Sequence, residues 1–503
     1  MTGATVSSTP GWGLAPKVAG RTQGLVVSPF AHLEAAEAIF LRIAAGSGGA
    51  WLAALRARVP ITDATGPSAP CAAIAFAWTG LAAMGLDADA LATFPPPFSE
   101  GMHQKDRRRR LTDDGAGTID GGAIWGGTAA GPAIDGPDDT GAPAPVPPVV
   151  VHAVLLIYAH DDAALDARCA EAVDAIAPLG VTIARRLRLS LRLDANGISR
   201  EHFGFADGVS QPLPFGPEIR RSDGAAAPRD PWHAVPPGEI LLGHLNAHGE
   251  PAPGPLVAAP PGVALPLPTK GAPEGFADLG LDGSYLVVRE LRQDVARFWG
   301  AMDAAALAAA DPAVDAEWLA AKVVGRTRNG VPLAPARVAA PLAGAPANAF
   351  GYFERDPHGF GCPVGSHIRR ANPRDGAAVS GAATSGVLAA ANNHRILRRG
   401  RKFGPDLADP RADDGAERGL LFMCLNTDLV RQFEFVQQNW LLNPTFATLL
   451  DETDPLLGPP GRFTVPGAPV RRRVEADTSV MFAGGEYFFL PSLPALDYLE
   501  TLR

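Results

Sequence analysis

The sequence predicts an α+β fold, in which a sheet carries helices on one face. The observations that predict it lie together in the first half of the chain. Val149 to Tyr158 has the β-branched content of a strand, and Asp161 to Ile176 has the apolar spacing and acidic first turn of an amphipathic helix. Val181 to Leu193 then alternates basic and apolar residues, as a half-exposed strand does. A strand, a helix and a strand joined by short connections indicate an α+β layer.

The segments before this layer also carry periodic patterns. We expect residues 1 to 28 to form an irregular arm. His32 to Ala45 has good helix formers with apolar residues at helical spacing, so it predicts an amphipathic helix. Three shorter elements are then predicted: a helix from Leu52 to Val59, a buried strand from Cys71 to Trp78, and a helix from Thr79 to Met84. The Gly, Ala, Pro and Asp-rich residues 111 to 148 predict a long surface loop.

The second half repeats the order of strands, a helix and strands. Its predicted strands are Gly238 to Leu245, Leu281 to Leu291, a short basic strand or turn from His394 to Gly404, Gly419 to Asn426, and Ser479 to Leu490. Its predicted helices are Asp294 to Met302, Asp315 to Val323, and Leu429 to Trp440. We therefore expect two tandem ferredoxin-like halves, residues 1 to 235 and residues 236 to 503, joined by the Pro-rich segment from Arg220 to Pro237, although the sequence has no internal repeat.

Composition limits the classes of function. The chain has 503 residues, 47% of them apolar and 19% charged, as in a globular protein. A net charge of −9 argues against nucleic acid as a partner. The four cysteines are too far apart for a metal-ligand spacing or a disulfide framework. No run of about 18 apolar residues and no secretion signal is present, so we expect a cytoplasmic protein without a membrane partner.

The stretch from Cys362 to Arg374 contains the most informative histidine, His367. Arg369, Arg370 and Arg374 follow within seven residues and would suit an anionic partner better than a bare metal dication. A neutral imidazole is the commonest metal ligand, and a proximal histidine can hold haem iron while arginines meet the haem carboxylates. From these residues alone, a structural histidine in a basic loop is the preferred interpretation, because no H-x-x-x-H or C-x-x-C spacing accompanies His367.

A second informative stretch runs from Glu201 to Pro212. Asp207 stands between small residues and before Gly208 on a predicted loop, so its carboxylate can face a cavity with room for a small ligand. An Asp-Gly pair is most often only a turn, and that alternative stays open at this point.

Four motifs together closely resemble the dye-decolourising peroxidases, which are haem enzymes. The motifs are Phe-Gly-Phe-Ala-Asp-Gly at 203–208, Gly-Ser-His-Ile-Arg-Arg-Ala-Asn-Pro-Arg at 365–374, Ile-Leu-Arg-Arg-Gly at 396–400 and Gly-Leu-Leu-Phe at 419–422. Their order and spacing carry the resemblance, which covers most of the chain from about residue 25 onward. It implies tandem ferredoxin-like halves with antiparallel sheets and peripheral helices, of the dimeric α+β barrel type. The insertion from Gly376 to Asn392 implies one of the larger subgroups.

The resemblance also implies roles for individual residues. His367 would be the proximal ligand of one haem b per chain, and Asp207 and Arg398 would lie on the distal face, where hydrogen peroxide binds. Arg398 is preferred over Arg395 and Arg399. Arg369 or Arg374 would contact a haem propionate, and Leu420 and Phe422 would wall the distal pocket or simply belong to the core. A carboxylate that accepts the second N–H of the proximal histidine is also expected, with Asp428 and Glu434 as candidates.

The implied activity is that of a haem-dependent peroxidase, which reduces hydrogen peroxide and oxidises dye-like or phenolic one-electron donors. The alternatives are a protein of the same fold with other haem chemistry, and a haem-binding protein for storage or handling. A hydrolase that uses Ser210 has little support, because no Gly-x-Ser-x-Gly motif is present. Trp440, Tyr352 and Tyr487 are candidates for oxidising large donors at the surface. The sequence leaves the small aromatic reductant and the oligomeric state open.

Overall fold

The computed structural model describes residues 14–66, 70–113, 117–120, 122–127, 148–214, 218–220, 226–228, 232–258, 275–334, 348–378, 384–467 and 471–503. The strands, β1 to β17, are Ala35–Ile43, Cys71–Phe76, Trp125–Gly126, Val149–Val150, Ala153–Ala159, Val181–Ser190, Glu218–Arg220, Ala226–Pro228, Leu256–Ala258, Phe276–Asp278, Ser284–Gln293, Leu397–Arg398, Arg401–Phe403, Gly419–Asn426, Gly461–Val465, Arg472–Ala476 and Val480–Leu490. The α-helices, α1 to α12, are Pro16–Ala19, Ala50–Arg58, Trp78–Ala83, Ala88–Leu91, Pro96–Glu100, Lys105–Leu111, Asp162–Ile176, Val295–Ala309, Ala316–Val324, His367–Ala371, Thr384–Asn392 and Leu493–Leu499. Two π-helical segments, Val430–Glu434 and Val436–Leu441, and three 3₁₀ turns, Gly24–Val26, Ala177–Leu179 and Pro237–Glu239, complete the described helical structure.

Eight strands form a closed antiparallel ring. The order is β11, β14, β13, β6, β1, β5, β2 and β17, and β17 pairs with β11 again. Within it, β6-β1-β5-β2 and β17-β11-β14-β13 each have the order of a ferredoxin-like unit, in which the third strand separates the two strands of a βαβ segment. The mixed α+β fold with two such units is therefore confirmed. The boundary between residues 235 and 236 stays a prediction.

The two faces of the ring are buried in different ways. Every ring strand contributes side chains to an inner core, of which Phe40, Leu156, Val288, Met423 and Phe488 are members. The outer face of the first half packs against α2, α7 and α12, so that half is filled on both sides. On the second half, the outer face of β11 and β14 borders a cavity instead.

The stretch from His32 to Ala45 is where the helix prediction is wrong. Ala35–Ile43 is the central strand β1, which pairs with β5 on one edge and β6 on the other. A strand that is buried on both faces is apolar along its length, so it lacks the alternation that would identify it. Its alanines favoured a helix, but hydrogen bonding to the two neighbouring strands makes the segment a strand. Its acidic residue, Glu37, is buried and accepts hydrogen bonds from Arg186 and Arg188 on β6.

Gly238 to Leu245 also differs from prediction. Pro237 begins a 3₁₀ turn, and three consecutive side chains after it, Ile240, Leu241 and Leu242, are all fully buried. The N–H groups of Ile240 and Leu241 both donate to the carbonyl of Pro237, at 3.0 and 2.8 Å, so the backbone turns here instead of extending as a strand.

Most other predicted elements are helices or strands close to their expected bounds, but α8 continues to Ala309, past the predicted end at Met302. Gly419–Asn426 is strand β14 over the predicted residues, while the predicted helix from Leu429 to Trp440 takes π-helical form. Most of the predicted loop at 111–148, and residues 1–13 of the predicted arm, lie outside the described residues. Within the described ranges, we find no helix with the length and hydropathy of a membrane span.

Candidate active site

A cavity of about 290 Å³ lies against the outer face of the second half of the ring. Its walls come from the loop at 201–210, strands β11 and β14, helix α10, the second π-helical segment and the turn at 456–457. His367, Asp207 and Arg398 all line it, although they come from three separate parts of the chain. The cavity therefore joins the three residues that the sequence motifs singled out.

The backbone at the start of helix α10 sets the position of His367. Ser366 precedes the helix with extended backbone angles, and its Oγ donates to the carbonyl of Lys322 at 2.5 Å. The carbonyl of Ser366 accepts the N–H groups of Arg369 and Arg370 at 3.0 Å, which starts the first turn. His367 is thus the first helical residue, anchored through its neighbour to helix α9.

A buried carboxylate holds the His367 ring. Nδ1 of His367 lies 2.9 Å from Oδ2 of Asp454, whose side chain is fully buried. An ionised carboxylate only accepts, so Nδ1 carries the proton and Nε2 is the nitrogen left for a ligand in the cavity. Burial lowers the pKa of His367, but the charge and hydrogen bond of Asp454 outweigh it, and the pKa is raised. The pKa of Asp454 is lowered because the same attraction overcomes its own burial.

The segment that carries Asp454 is fixed independently of the histidine. Oδ1 of Asp454 accepts the N–H groups of Leu456 and Leu457, both at 2.9 Å. The fully buried Arg370 donates to the carbonyls of Trp440 at 2.8 Å, Asn443 at 3.1 Å and Glu452. Because Arg370 belongs to α10, it ties the helix of His367 to the segment of Asp454.

Asp207 ends a tightly bonded loop. Its N–H donates to the carbonyl of Ser199 at 2.9 Å, and the N–H of Ala206 donates to that of Arg328 at 2.8 Å. Gly204 and Gly208 have φ of 96° and 73°, a region that favours glycine. The loop therefore presents the Asp207 carboxylate from a fixed backbone.

Arg398 is the arginine that meets Asp207. Its NH1 lies 3.0 Å from Oδ1 of Asp207, and both side chains are partly exposed to the cavity. Gln211 fixes the backbone of Arg398 by accepting its N–H at 3.1 Å and donating to its carbonyl at 3.3 Å. The rival Arg399 is buried elsewhere, on the carbonyls of Leu25 and Val26.

Four further arginines, Arg289, Arg326, Arg374 and Arg395, line the cavity. Arg374 donates to the carbonyls of Asn348 at 2.6 Å and Phe350 at 2.8 Å. Arg369, which was expected to share the propionate role, does not line the cavity. It donates instead to the carbonyls of Asp356 at 3.0 Å and Cys362 at 2.7 Å, and its guanidinium stacks 4.3 Å from the Tyr352 ring.

Leu420 and Phe422 both line the cavity. They alternate along β14 with Leu421 and Met423, which belong to the inner core, so the two-residue period of the strand directs them outward. Other apolar residues of the walls include Phe433, Val436, Leu441, Leu456, Leu457 and Val480.

Sequence reasoning missed Asp454 and named the wrong carboxylates. Glu434 is bound to Arg107 and to the hydroxyl of Tyr487, and Asp428 accepts the N–H of Arg431. The signal that could have found Asp454 is weak, because its Asp-Pro-Leu-Leu context is that of an ordinary turn. Of the three aromatic candidates for oxidising large donors, Tyr352 and Tyr487 are buried, as core residues are, and Trp440 is half-buried.

Comparisons of the sequence point to one group of proteins. No protein-family model matches the chain. A multifunctional dye peroxidase of Amycolatopsis sp. is 32% identical over 342 residues, which are 64% of this chain and 66% of that protein. A dye-decolourising peroxidase of Mycetinis scorodonius is 28% identical over 457 residues, 84% of this chain and 75% of that protein. The matched regions thus span about two thirds and three quarters of these relatives.

Comparisons of the structure agree with those of the sequence. The solved structure of DyP2 from Amycolatopsis sp. matches with a TM-score of 0.68 and 25% identity, over 98% of each chain. A DyP-type peroxidase from Anabaena sp. matches with a TM-score of 0.67 over 96% of this chain and 95% of that one. At 22% identity, the second match supports the shared fold alone.

Proposed function

Because this chain belongs to the family of dye-decolourising (DyP-type) peroxidases, we propose that it is a haem-dependent oxidoreductase that reduces hydrogen peroxide. Its electron donors would be dye-like or phenolic small aromatic molecules. The single observation that carries the proposal is the Asp207–Arg398 pair in the cavity that His367 also lines.

The residues of the cavity suit a haem. His367 would offer Nε2 to the iron while Asp454 holds Nδ1, the usual arrangement of a metal-bound histidine. Leu420, Phe422 and their apolar neighbours suit the faces of a porphyrin. Of the two arginines proposed from the sequence to contact a propionate, Arg374 is the one that lines the cavity. We assign one haem b per chain to this site. When bound, its iron would pass electrons from the reductant to the peroxide.

Asp207 and Arg398 would have different roles, proton transfer for Asp207 and charge stabilisation for Arg398. The Asp207 carboxylate would accept a proton from hydrogen peroxide and return it to the departing oxygen, as a positioned general base and acid. Arg398 would stabilise the negative charge that develops on that oxygen, because a guanidinium stays charged throughout. Their contact at 3.0 Å holds both groups before peroxide arrives.

A haem-storage or haem-handling protein is the weaker alternative. Such a protein needs the ligand histidine, but it gains nothing from a carboxylate and an arginine placed together in the same cavity. The Asp207–Arg398 pair therefore favours a catalytic function.

The location of the protein in the cytoplasm stays a prediction.

Stopped-flow mixing of the haem-loaded protein with hydrogen peroxide tests the proposal. We expect Asp207→Asn and Arg398→Leu to slow the first spectral change of the haem by about 10²–10⁴-fold, the usual contribution of a positioned acid or base. A matched control is Asp303→Asn, which breaks an exposed aspartate–arginine pair with Arg411 and should keep the wild-type rate. A haem-loaded protein whose reaction neither cavity variant slows would contradict the mechanism. One that does not react with peroxide would contradict the activity.

A further inference from the structure

Glu201 closes a small ring of hydrogen bonds in the loop that leads to Asp207. Its carboxylate accepts the N–H groups of Phe203 and Phe205, both at 2.8 Å. Its backbone N–H donates to the carbonyl of Phe205 at 3.1 Å, and its carbonyl accepts the N–H of Gly204 at 2.9 Å. The side chain and the backbone of one residue, Glu201, therefore fix the course of residues 201 to 205.

The hydrogen-bonded segment from 201 to 205 is connected to Asp207 through a single residue. Only Ala206 separates Phe205 from Asp207, and the N–H groups of both Ala206 and Asp207 are bonded to neighbouring segments. The side chain of Phe203 stacks on that of Phe298, with 4.3 Å between the ring centroids. The hydrogen-bonded segment is therefore also packed against helix α8. Because only one residue lies between Phe205 and Asp207, a shift of the backbone at Phe205 would strain the hydrogen bonds of Ala206 and Asp207 and so displace the Asp207 carboxylate.

Glu201 also connects this loop to the sheet. Nε2 of Gln293, the last residue of β11, donates to Oε2 of Glu201 at 2.6 Å. Arg289 and Leu291 on the same strand line the cavity, as do Glu201 and Gln293 themselves. The carboxylate thus fixes the Asp207 loop relative to one wall of the cavity.

The chemistry at position 201 requires a carboxylate of this length. Two carboxylate oxygens can accept three N–H groups together, whereas a glutamine has one acceptor oxygen and an NH₂ group that would face the NH₂ of Gln293. Aspartate keeps the charge but is one methylene shorter. Burial raises the pKa of Glu201, the three N–H donors oppose that rise, and the charge of Asp207 adds to it.

We propose that Glu201 is the positioning residue for Asp207, and that its carboxylate fixes the distal loop in the geometry that the peroxide reaction needs. The inference rests on the proposed function. It assigns no contact with peroxide to Glu201, which acts only through the backbone of residues 203 to 207.

A buried carboxylate away from the cavity, Glu486, provides the control. Glu486 also accepts three N–H groups, from Met102 at 2.9 Å, Gly127 at 2.8 Å and Tyr487 at 2.7 Å. It is buried and does not line the cavity. Glu486→Gln therefore removes the same charge and the same kind of acceptor as Glu201→Gln, but away from the Asp207 loop.

The experiment compares the haem-loaded wild type with Glu201→Gln, Glu201→Asp, Glu486→Gln and Asp207→Asn. Stopped flow gives the rate constant with hydrogen peroxide, and fluoride titration followed by the haem spectrum gives the dissociation constant of an anion that needs the distal pair. We expect both Glu201 variants to react about 10²-fold more slowly, the effect of a misplaced catalytic group, and to bind fluoride more weakly. Glu486→Gln should lower the melting temperature and leave both values unchanged.

Each contrary outcome has one meaning. Wild-type rate and fluoride affinity in Glu201→Gln would overturn the inference, as would equal losses in Glu486→Gln. A wild-type rate in Glu201→Asp would show that charge rather than reach matters, which also overturns positioning. If Asp207→Asn itself reacts as fast as the wild type, the role proposed for Asp207 fails instead, and a wild type that does not react with peroxide contradicts the proposed function.

Discussion

Nδ1 of His367 lies 2.9 Å from Oδ2 of Asp454, although 87 residues separate them in the chain. The contact depends on Arg370, which belongs to the same helix as the histidine and binds the carbonyl groups of the segment before the aspartate. The same turn then supplies Leu456 and Leu457 to the cavity wall. Hydrogen bonds therefore connect His367, Asp454 and the part of the cavity wall formed by Leu456 and Leu457.

Replacing Asp454 by asparagine should weaken the hold of His367 on a haem. The amide carries no charge to support the imidazole, and loss of such a partner typically costs 10–100-fold in metal affinity or activity. We expect haem affinity to fall by about that factor and the reduction potential of the bound haem to rise. Titration of the haem-free protein with haem, followed by a redox titration, measures both.

Asp356→Asn is the matched control for this change. Asp356 is also buried and accepts two backbone N–H groups, those of Gly361 and Cys362, but it does not line the cavity. We expect it to cost stability without changing the potential. An unchanged affinity and potential in Asp454→Asn would mean that the carboxylate does not tune the histidine.

The sequence identified residues of the cavity better than it predicted the first strand. Asp207, His367 and Arg398 stand in local motifs, so all three were named as candidates without knowledge of the fold, and the structure places them in one cavity. Asp454 stands in a turn with no motif, and only the path of Arg370 to the carbonyls around residues 440–452 brings it to the histidine. Contacts of that kind are decided by tertiary packing and leave no local pattern.

The prediction of secondary structure for the first strand failed for a related reason. Ala35–Ile43 has the composition of a helix, yet it lies between β5 and β6 and its backbone groups are paired on both edges. Strand β14 was predicted over its observed residues because its apolar run is bounded by Gly419 and by Asn426. Local propensity decides such bounded segments, whereas pairing with distant strands overrides it in an alanine-rich one.

Replacing Arg370 by leucine should destabilise the fold strongly. The guanidinium is fully buried and satisfies backbone carbonyls at residues 440, 441, 443 and 452. Hydrogen bonds to charged groups contribute about 1.5–3 kcal/mol each and several would be lost, so we expect a loss of at least about 3 kcal/mol in the free energy of unfolding. Urea denaturation of the haem-free protein measures it.

The exposed Arg411 offers a comparison for this variant. Arg411 pairs with Asp303 at the surface, and Arg411→Leu should change the free energy of unfolding by less than about 1 kcal/mol. Equal effects of the two substitutions would show that Arg370 does not anchor the Asp454 segment.

Gly400 cannot accept a larger side chain without a shift of strand β14. A Cβ there would lie 2.8 Å from the carbonyl oxygen of Leu421 and 3.3 Å from Cα of Phe422. Gly400→Ala should therefore cost about 1–3 kcal/mol, the usual penalty for overpacking, and lower haem affinity through the displaced Phe422. Urea denaturation and haem titration give the two quantities.

Gly386→Ala is the corresponding control. Gly386 lies in helix α11 with no atom within 4 Å of an added Cβ, so alanine should stabilise the protein by about 0.5–1 kcal/mol. If Gly400→Ala were as stable as the wild type, the backbone of β14 would have to be more adaptable than its pairing with β11 and β13 indicates.

His103 should make the protein less stable in mild acid. The ring is buried and its Nε2–H donates to the carbonyl of Gly485 at 2.9 Å. Burial, aided by Arg108 and Arg289, lowers its pKa from 6.5 to about 4. Between these values the unfolded chain binds a proton that the folded chain does not, so the free energy of unfolding falls as the pH falls, by roughly 3 kcal/mol in all. Below pH 4 the folded protein also binds the proton and this contribution levels off.

Urea denaturation at pH 7, 6, 5 and 4.5 compares the wild type with His103→Gln. Glutamine can still donate to the carbonyl of Gly485 but does not titrate, so the variant should lose less stability between pH 7 and 4.5. His233, whose pKa is lowered to about 3 chiefly by burial, destabilises both proteins alike in this range. His248→Gln, at an exposed position, should keep the wild-type slope. A slope in His103→Gln equal to that of the wild type would assign the acid sensitivity to other groups.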